Sequence, residues 1–293
     1  MVAVGTFDGV HQGHQQILRE VAKRAEESGL ISVALSFDPH PRQVISPEIP
    51  FYSLTTLEEK AELMQTMGIQ ALAIVRFNAR IRRLSYKEFV KKVLVSQLGV
   101  KKVIVGYDHA FGFDRHGTTP ELTALGKAHG FEIDIMPPVQ TEKKVVKSSL
   151  IRKLLLAGKV EEANALLGYW YRMTGVVHKM SGFGHKLGFP TANLKFPKGK
   201  LIPANGVYSG HVWVRGYPKL CVMNVGVRPT VDGKHHQVEV HVLNFNEGLY
   251  HEKLQVDMGH RLRNEKKFSS TLLLKKQIQK DIQSALKQEE KNL

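Results

Sequence analysis

Cysteine is nearly absent. Cys221 is the single one in 293 residues, so no intramolecular disulfide can form, and the composition suits a reducing, cytoplasmic compartment. It lies in Lys219-Leu-Cys-Val-Met-Asn, which reads as a strand, where a buried thiol is expected rather than a nucleophile. Long apolar runs are missing as well. No stretch of about 18 apolar residues occurs, which excludes a membrane-spanning helix, and no basic region followed by a long apolar stretch opens the chain, so no secretory signal is expected. Acidic residues are scarce: 27 Asp and Glu face 42 Lys and Arg, a net charge of +15. Such a field attracts phosphorylated small molecules and, by the same physics, nucleic acid. The cations are spread along the chain (Arg80, Arg82, Arg83, Lys91, Lys92, Lys101, Lys102, Lys143, Lys144, Lys147) rather than gathered on one helix between aromatics. A solvated basic surface is therefore expected, and a nucleic-acid partner is not.

What is present begins at the first residues. Val2-Ala-Val4 reads as a short buried strand, Gly5 and Gly9 bracket a turn, and from His14 apolar residues recur at helix spacing (Ile17, Leu18, Val21, Ala22). His11-x-Gly13-His14 thus sits where a strand gives way to a helix N-terminus, the place where backbone amides and the helix dipole meet phosphate. Gly13 permits close backbone approach, and two imidazoles three residues apart can both donate to charge growing on a phosphoryl group. A zinc site here is short of ligands, with one His pair and no cysteine nearby.

The length predicts two domains. In the first, strand and helix patterns alternate, which predicts a parallel sheet covered on both faces. The strands fall at 31–37, 71–75, 102–105 and near 131–136. The helices fall at 15–29, from Thr55 or Thr56 to Gly68, at 86–98 and from Pro120, and 154–167 reads as a helix pair around Gly158. Asp38-Pro39-His40-Pro41-Arg42 ends the second strand in a stiff turn, and ligands collect at such strand ends. Lys147-Ser148-Ser149-Leu-Ile-Arg152 places two hydroxyls and a permanent cation at a helix start, which suits the outer phosphates of ATP. The boundary is read at 168, with a linker over 169–173 and a second domain over 174–293. There, strand-like runs come about every ten residues between Gly, Pro and Asn, the pattern of an antiparallel β-barrel. A terminal helix near 270–286 carries the stripe Leu273, Leu274, Ile278, Ile282, expected in the core. In Gly184-His-Lys-Leu-Gly188-Phe-Pro190-Thr191-Ala-Asn193 a glycine loop can pack amides on phosphate, and Thr191 and Asn193 offer oxygens to Mg²⁺.

These strings together resemble the prokaryotic bifunctional riboflavin kinase/FMN adenylyltransferases, also called FAD synthetases, along nearly the whole chain. Gly5-x-Phe7-Asp8-Gly9-x-His11-x-Gly13-His14 is similar to the family's nucleotide-binding motif. Phe37-x-Pro39-His40-Pro41-Arg42 resembles a segment beside the nucleotide and flavin sites, and Gly106-x-Asp108-His-Ala-Phe111-Gly112 one near the flavin. The segment at Ser148, Ser149 and Arg152 resembles the family's second phosphate element, and Gly-Phe-Pro-Thr-Ala-Asn its riboflavin kinase signature. By this resemblance Glu239 aligns with the catalytic base of the kinase, and the segment containing Arg263 borders its flavin. The resemblance implies an α/β nucleotidyltransferase domain joined to a riboflavin-kinase-like barrel. It implies ATP, FMN and riboflavin as substrates, with Mg²⁺. Catalytic roles fall to His11, His14, Arg152 and Glu239. Binding roles fall to Gly5, Phe7, Asp8, Gly13, His40, Asp108, Phe111, Ser148, Ser149, Gly184, Gly188, Pro190, Asn193 and Arg263, and metal roles to Thr191 and Asn193.

The chain also departs from the family. His109 and Ala110 stand where Phe and Arg are usual. The loop at 178–184 is one residue longer, His185 replaces an Arg, and His251 replaces a Gly. The last three predict a weakened or absent kinase and leave open a mono-functional adenylyltransferase with a structural barrel. The basic charge leaves open a flavin-sensing regulator that binds RNA. Met1 abuts the first strand where the family usually carries further residues, which predicts a less stable sheet edge.

Overall fold

The computed structural model describes residues 1–107, 111–113, 116–137, 140–141, 144–178, 187–230 and 233–291. The chain divides into two compact units, Met1–Ser148 and Ser149–Leu293.

The first unit holds five parallel strands, β1 (Val2–Val4), β2 (Val33–Asp38), β3 (Ala71–Arg76), β4 (Lys102–Gly106) and β5 (Glu132–Met136), in the order β3-β2-β1-β4-β5. The chain winds outward from β1 to β3, then returns to the other side of β1 for β4. That reversal creates a switch point between β1 and β4, where the loops after two neighbouring strands diverge and leave a crevice. Because β1 is central, the start of the chain lies mid-sheet and not at the edge expected above; the Met1 ammonium donates to Ile31 O at 2.8 Å. Val2, Val4, Leu35, Val103 and Val105 are buried in one core with Phe89, Val90, Val93 and Leu94.

The helices are α1 (Gln12–Glu27), α2 (Pro41–Ile45), α3 (Leu57–Thr66), α4 (Ala79–Arg82), α5 (Tyr86–Phe89) and α6 (Thr119–His129). α3 starts where its sequence says it should. Thr56 accepts from Glu59 N while the Glu59 carboxylate accepts from Thr56 N, a complete capping box. The helix expected over 86–98 is split: α5 passes into a π-helical segment, Val90–Val95. Phe89, Val90, Val93 and Leu94 are buried on one face of this continuous stretch. A two-residue ladder pairs β6 (Gln140–Thr141) with β7 (Lys144–Val145).

The helix α7 (Ser148–Leu156) leads into the second unit, followed by α8 (Val160–Leu167), which ends on left-handed Gly168. The strands β8 (Tyr171–His178), β9 (Ala192–Lys195), β10 (Gly206–Val214), β11 (Tyr217–Thr230), β12 (Gly233–Val242) and β13 (Lys253–Arg263) close an antiparallel barrel in the order β10-β11-β12-β9-β8-β13. Tyr171, inside the stretch read as a linker, opens β8 and is 1% exposed. Buried Asn164 fastens α8 to the barrel: Nδ2 donates to Met258 O at 2.9 Å and Oδ1 accepts from Tyr171 N at 2.8 Å. The last helix, α9 (Thr271–Glu290), ends four residues later than expected, and its inward face keeps Leu274, Ile278 and Ile282 of the expected stripe, half-buried, while Leu273 falls outside it. Ala285 is fully buried with Ile282 packed beside it, whereas Leu273 is 48% exposed.

Candidate active sites

The turn after β1 is strained. Phe7 and Val10 adopt φ of +47° and +34°, conformations that cost free energy for any residue with a Cβ and most for a β-branched one. Buried partners hold it there. Asp8, 2% exposed, turns inward and accepts at Oδ1 from Leu54 N (2.8 Å) and Thr55 N (3.3 Å), while Gly9 N donates to Thr55 Oγ1 at 3.1 Å. Asp8, expected among the ligand contacts, therefore fastens the turn. Gln15 Nε2 donates to Val10 O at 2.9 Å, and Ser148 Oγ donates to Asp8 O at 2.8 Å. Beneath the turn, buried Lys60 donates to Thr6 O (2.8 Å) and Ser36 Oγ (3.1 Å), and Ser36 Oγ donates to Thr6 O at 3.0 Å.

This scaffold brings the two expected histidines together. His11 is the N-cap residue of α1 and Gly13 lies in its first turn. The rings of His11 and His14 stack with centroids 3.6 Å apart at 16°, and Phe7 meets His14 edge-on at 5.3 Å. His14 Nδ1 is buried with no hydrogen-bond partner among the described residues. Burial, then the neighbouring His11, then the Lys60 ammonium push the His14 pKa well below its ordinary 6.5. At neutral pH His14 is thus an uncharged hydrogen-bonding group, not a cation.

The turn opens into a cavity of about 740 Å³ at the switch point, lined by Gly5, Thr6, Phe7 and His14 from the first turn and by Gly106, Phe111, Gly112 and Phe113 from the loop after β4. Gly112 cannot carry a side chain: its φ is +76°, and a Cβ would lie 2.6 Å from Tyr86 N. Phe37, Phe77 and Phe89 add rings, and His40, Arg42 and Arg82 add polar groups. His40 caps α2, accepts at Nδ1 from Arg42 N at 3.2 Å, and stacks on Phe51 at 4.2 Å. An imidazole that accepts at Nδ1 carries its proton on Nε2. Apolar walls, a few convergent polar groups and this size suit a planar aromatic ligand with a polar tail. Ser148 opens α7, and Ser149 and Arg152 follow on that helix. Asp108 lies outside the described residues.

In the second unit, Val238, Val240 and Val242 are buried along β12, so Gln237, Glu239 and His241 project from its other face. Glu239 stands in register between Asn193 on β9 and Asn224 on β11. Gln237 Nε2 bridges the site, donating to Glu239 Oε1 at 2.7 Å and to Asn193 Oδ1. His241 Nδ1 donates to Pro190 O at 2.8 Å and its ring meets Phe189 edge-on, which holds the turn after Gly188, itself at φ +83°. Glu239, Asn193 and the Pro190-Thr191 turn are therefore joined, while Gly184 lies outside the described residues. Arg263 is occupied: its guanidinium pairs with buried Asp281 through Nε–Oδ1 at 2.9 Å and Nη2–Oδ2 at 2.8 Å. His251 has φ +66°, which explains why a glycine suits that position. Gln237 and His241 were findable from the sequence, two residues either side of Glu239 and so on its face. Lys60 carried one signal, its place beside the apolar positions Leu63 and Met64 of α3.

Comparison with known proteins agrees with this arrangement. A family model described as FAD synthetase matches residues 1–150, and one described as riboflavin kinase matches residues 167–288. The bifunctional riboflavin kinase/FMN adenylyltransferase of Pseudomonas fluorescens is 38% identical over 287 residues, covering 97% of this chain and 91% of its own. That of Buchnera aphidicola is 36% identical over 289 residues, covering 96% and 91%. A solved structure from Streptococcus pneumoniae, described as a macrolide-efflux protein, superposes with a TM-score of 0.89 at 31% identity, covering 97% of this chain and 93% of that one. An α/β unit with a histidine turn at its switch point, followed by a closed antiparallel barrel, fits the pairing of a FAD synthetase unit with a riboflavin kinase unit. The chain belongs to the bifunctional riboflavin kinase/FMN adenylyltransferases.

Proposed function

We propose that this chain makes FAD in two ATP-dependent steps, and that each step belongs to one domain: adenylyl transfer to residues 1–168 and riboflavin phosphorylation to residues 174–293. In the adenylyl step a phosphate oxygen of FMN attacks the α-phosphorus of ATP. A new P–O bond forms, the α–β bridge breaks, and pyrophosphate leaves. The supporting observation is the stacked His11–His14 pair, His11 buried and His14 half-buried, on a strained turn that opens into the cavity of about 740 Å³. The two imidazoles and the first amides of α1 donate to the oxygens on which charge grows, at no cost of reorganisation, because Asp8, Gln15 and Lys60 already hold the turn. Ser148, Ser149 and Arg152 are assigned to the leaving pyrophosphate. Gly5, Phe7, His40 and Phe111 are assigned to the bound nucleotide and flavin.

In the kinase step the 5′-hydroxyl of riboflavin attacks the γ-phosphorus of ATP, a new P–O bond forms, the β–γ bridge breaks and ADP leaves. Glu239 accepts the hydroxyl proton. Gly184, Gly188 and Pro190 are assigned to the phosphate loop, with the register Asn193–Glu239–Asn224 fixing the base. Arg263 acts at the flavin border from its clasp with Asp281. The donor set fits Mg²⁺: the Thr191 hydroxyl, the Asn193 amide oxygen and the Glu239 carboxylate are all hard oxygens. No group of three or more His, Cys, Asp or Glu converges among the described residues, so Thr191 and Asn193 would hold an ion that keeps most of its bonds to phosphate and water. When bound, the ion neutralises the triphosphate.

Products are separated after incubating the protein with Mg-ATP and either riboflavin or FMN. FMN and FAD from riboflavin, and FAD from FMN, are expected. Untouched riboflavin would remove the kinase half of the proposal, and FAD from neither flavin would overturn it altogether.

A further inference from the structure

The adenylyl step brings together two polyanions, FMN and ATP, whose mutual repulsion must be offset before any bond forms. His14 does not supply that charge, because burial first and then the neighbouring His11 and Lys60 hold its pKa well below 6.5. Lys60 is a cation, but it is buried and its ammonium is turned toward Thr6 O and Ser36 Oγ. Among the described residues that line the cavity, the permanent cations are Arg42 and Arg82. Arg42 lies over the Phe51 ring, its Cζ 5.7 Å from the centroid. Arg82 is exposed and forms no ion pair among the described residues. It ends α4, a short turn fixed by Asn78, whose Oδ1 accepts from Arg80 N and Ile81 N, both at 3.0 Å. Ile81, its neighbour, also lines the cavity. A capped turn thus presents an apolar side chain and an uncommitted guanidinium side by side at a pocket otherwise rich in phenylalanine rings.

We infer that Arg82 reads the phosphate of the acceptor flavin, and so makes the cavity selective for FMN over flavins without a phosphate. This rests on the adenylyl-transfer reading above. A guanidinium matches phosphate geometry through two parallel N–H donors and stays charged at any working pH. The aromatic rings give the flavin ring system its affinity, and they do so equally for phosphorylated and unphosphorylated ligands. Discrimination must then come from the charge at the polar end.

The test is steady-state kinetics of FAD formation from FMN by the full chain. Lumiflavin serves as a competitive inhibitor because it carries the ring system but has neither a phosphate nor a hydroxyl that a kinase could use. In Arg82→Gln the KM for FMN is expected to rise about tenfold, equivalent to about 1.4 kcal/mol, with the lumiflavin inhibition constant within about twofold of wild type. Arg82→Lys should recover part of the loss. Arg83→Gln, which removes the same charge from a residue that does not line the cavity, should leave both constants unchanged and so separates a local contact from the general basic field. An unchanged KM for FMN in Arg82→Gln would overturn the inference. So would a parallel rise in the lumiflavin constant, which would place the arginine on the ring instead. A wild-type protein that makes no FAD from FMN would instead remove the reading on which the inference rests.

Discussion

At the scale of single residues, the proposed adenylyl site contains a histidine, His14, kept neutral by burial. His14→Asn should lower FAD formation from FMN by about a hundredfold, the loss typical of one donor to a developing oxyanion, with the circular dichroism spectrum intact. The same depression makes a stability prediction. An unfolded chain has His14 at its ordinary 6.5, whereas the folded one binds that proton only at lower pH. As pH falls below 6.5 the unfolded state therefore takes up more protons, and stability contributed by His14 is lost toward its folded pKa. Denaturant unfolding of His14→Asn should show a shallower acid slope below pH 6.5 than wild type; equal slopes would contradict it. Lys60→Met removes one of the charges that hold His14 down, so the NMR titration midpoint of His14 should move up. The two histidines were legible in the sequence because the chemistry fixes both their type and their spacing. Lys60 was not, because a lysine in an amphipathic helix reads as a solvated face. It is buried here because the carbonyl of Thr6 and the hydroxyl of Ser36 need a donor.

At the scale of elements, helix starts were readable and helix interiors less so. Thr56 and Glu59 announce α3 through a local hydrogen-bond pattern, and Thr56→Ala should destabilise the first unit by about 1 kcal/mol in urea unfolding. The π-helical step after Phe89 has no such mark, because the buried positions Phe89, Val90, Val93 and Leu94 fit the face of an ordinary α-helix equally well. The terminal helix shows the same limit. Its leucine stripe looked like core, yet Leu273 is exposed and the fixed point is Asp281, 4% exposed and clasped by Arg263 of β13. Asp281→Ala strands a largely buried guanidinium, so it should lower the stability of the barrel unit by about 3 kcal/mol. Asp281 drew no attention in the sequence because an aspartate within a helix carries no sign of its partner on a distant strand.

At the scale of the whole molecule, the alternation of strand and helix patterns gave way to short strands in the order the two folds require, so both architectures were legible. Strand order was not: the centrality of β1, and hence the crevice between β1 and β4, follows from a crossover that no local pattern records. The net charge of +15 suits an enzyme whose substrates are all phosphorylated or become so. As proposed, the two chemistries are divided between the two domains of one chain. Comparing His14→Asn with Glu239→Gln in one assay checks this, with Mg-ATP and either riboflavin or FMN and the flavins separated by chromatography. His14→Asn should convert riboflavin to FMN and stop there. Glu239→Gln should convert FMN to FAD at the wild-type rate and phosphorylate riboflavin about a hundredfold more slowly or worse. If either substitution abolishes both conversions, or if His14→Asn still makes FAD from FMN at full rate, the two chemistries are not divided between the domains in this way.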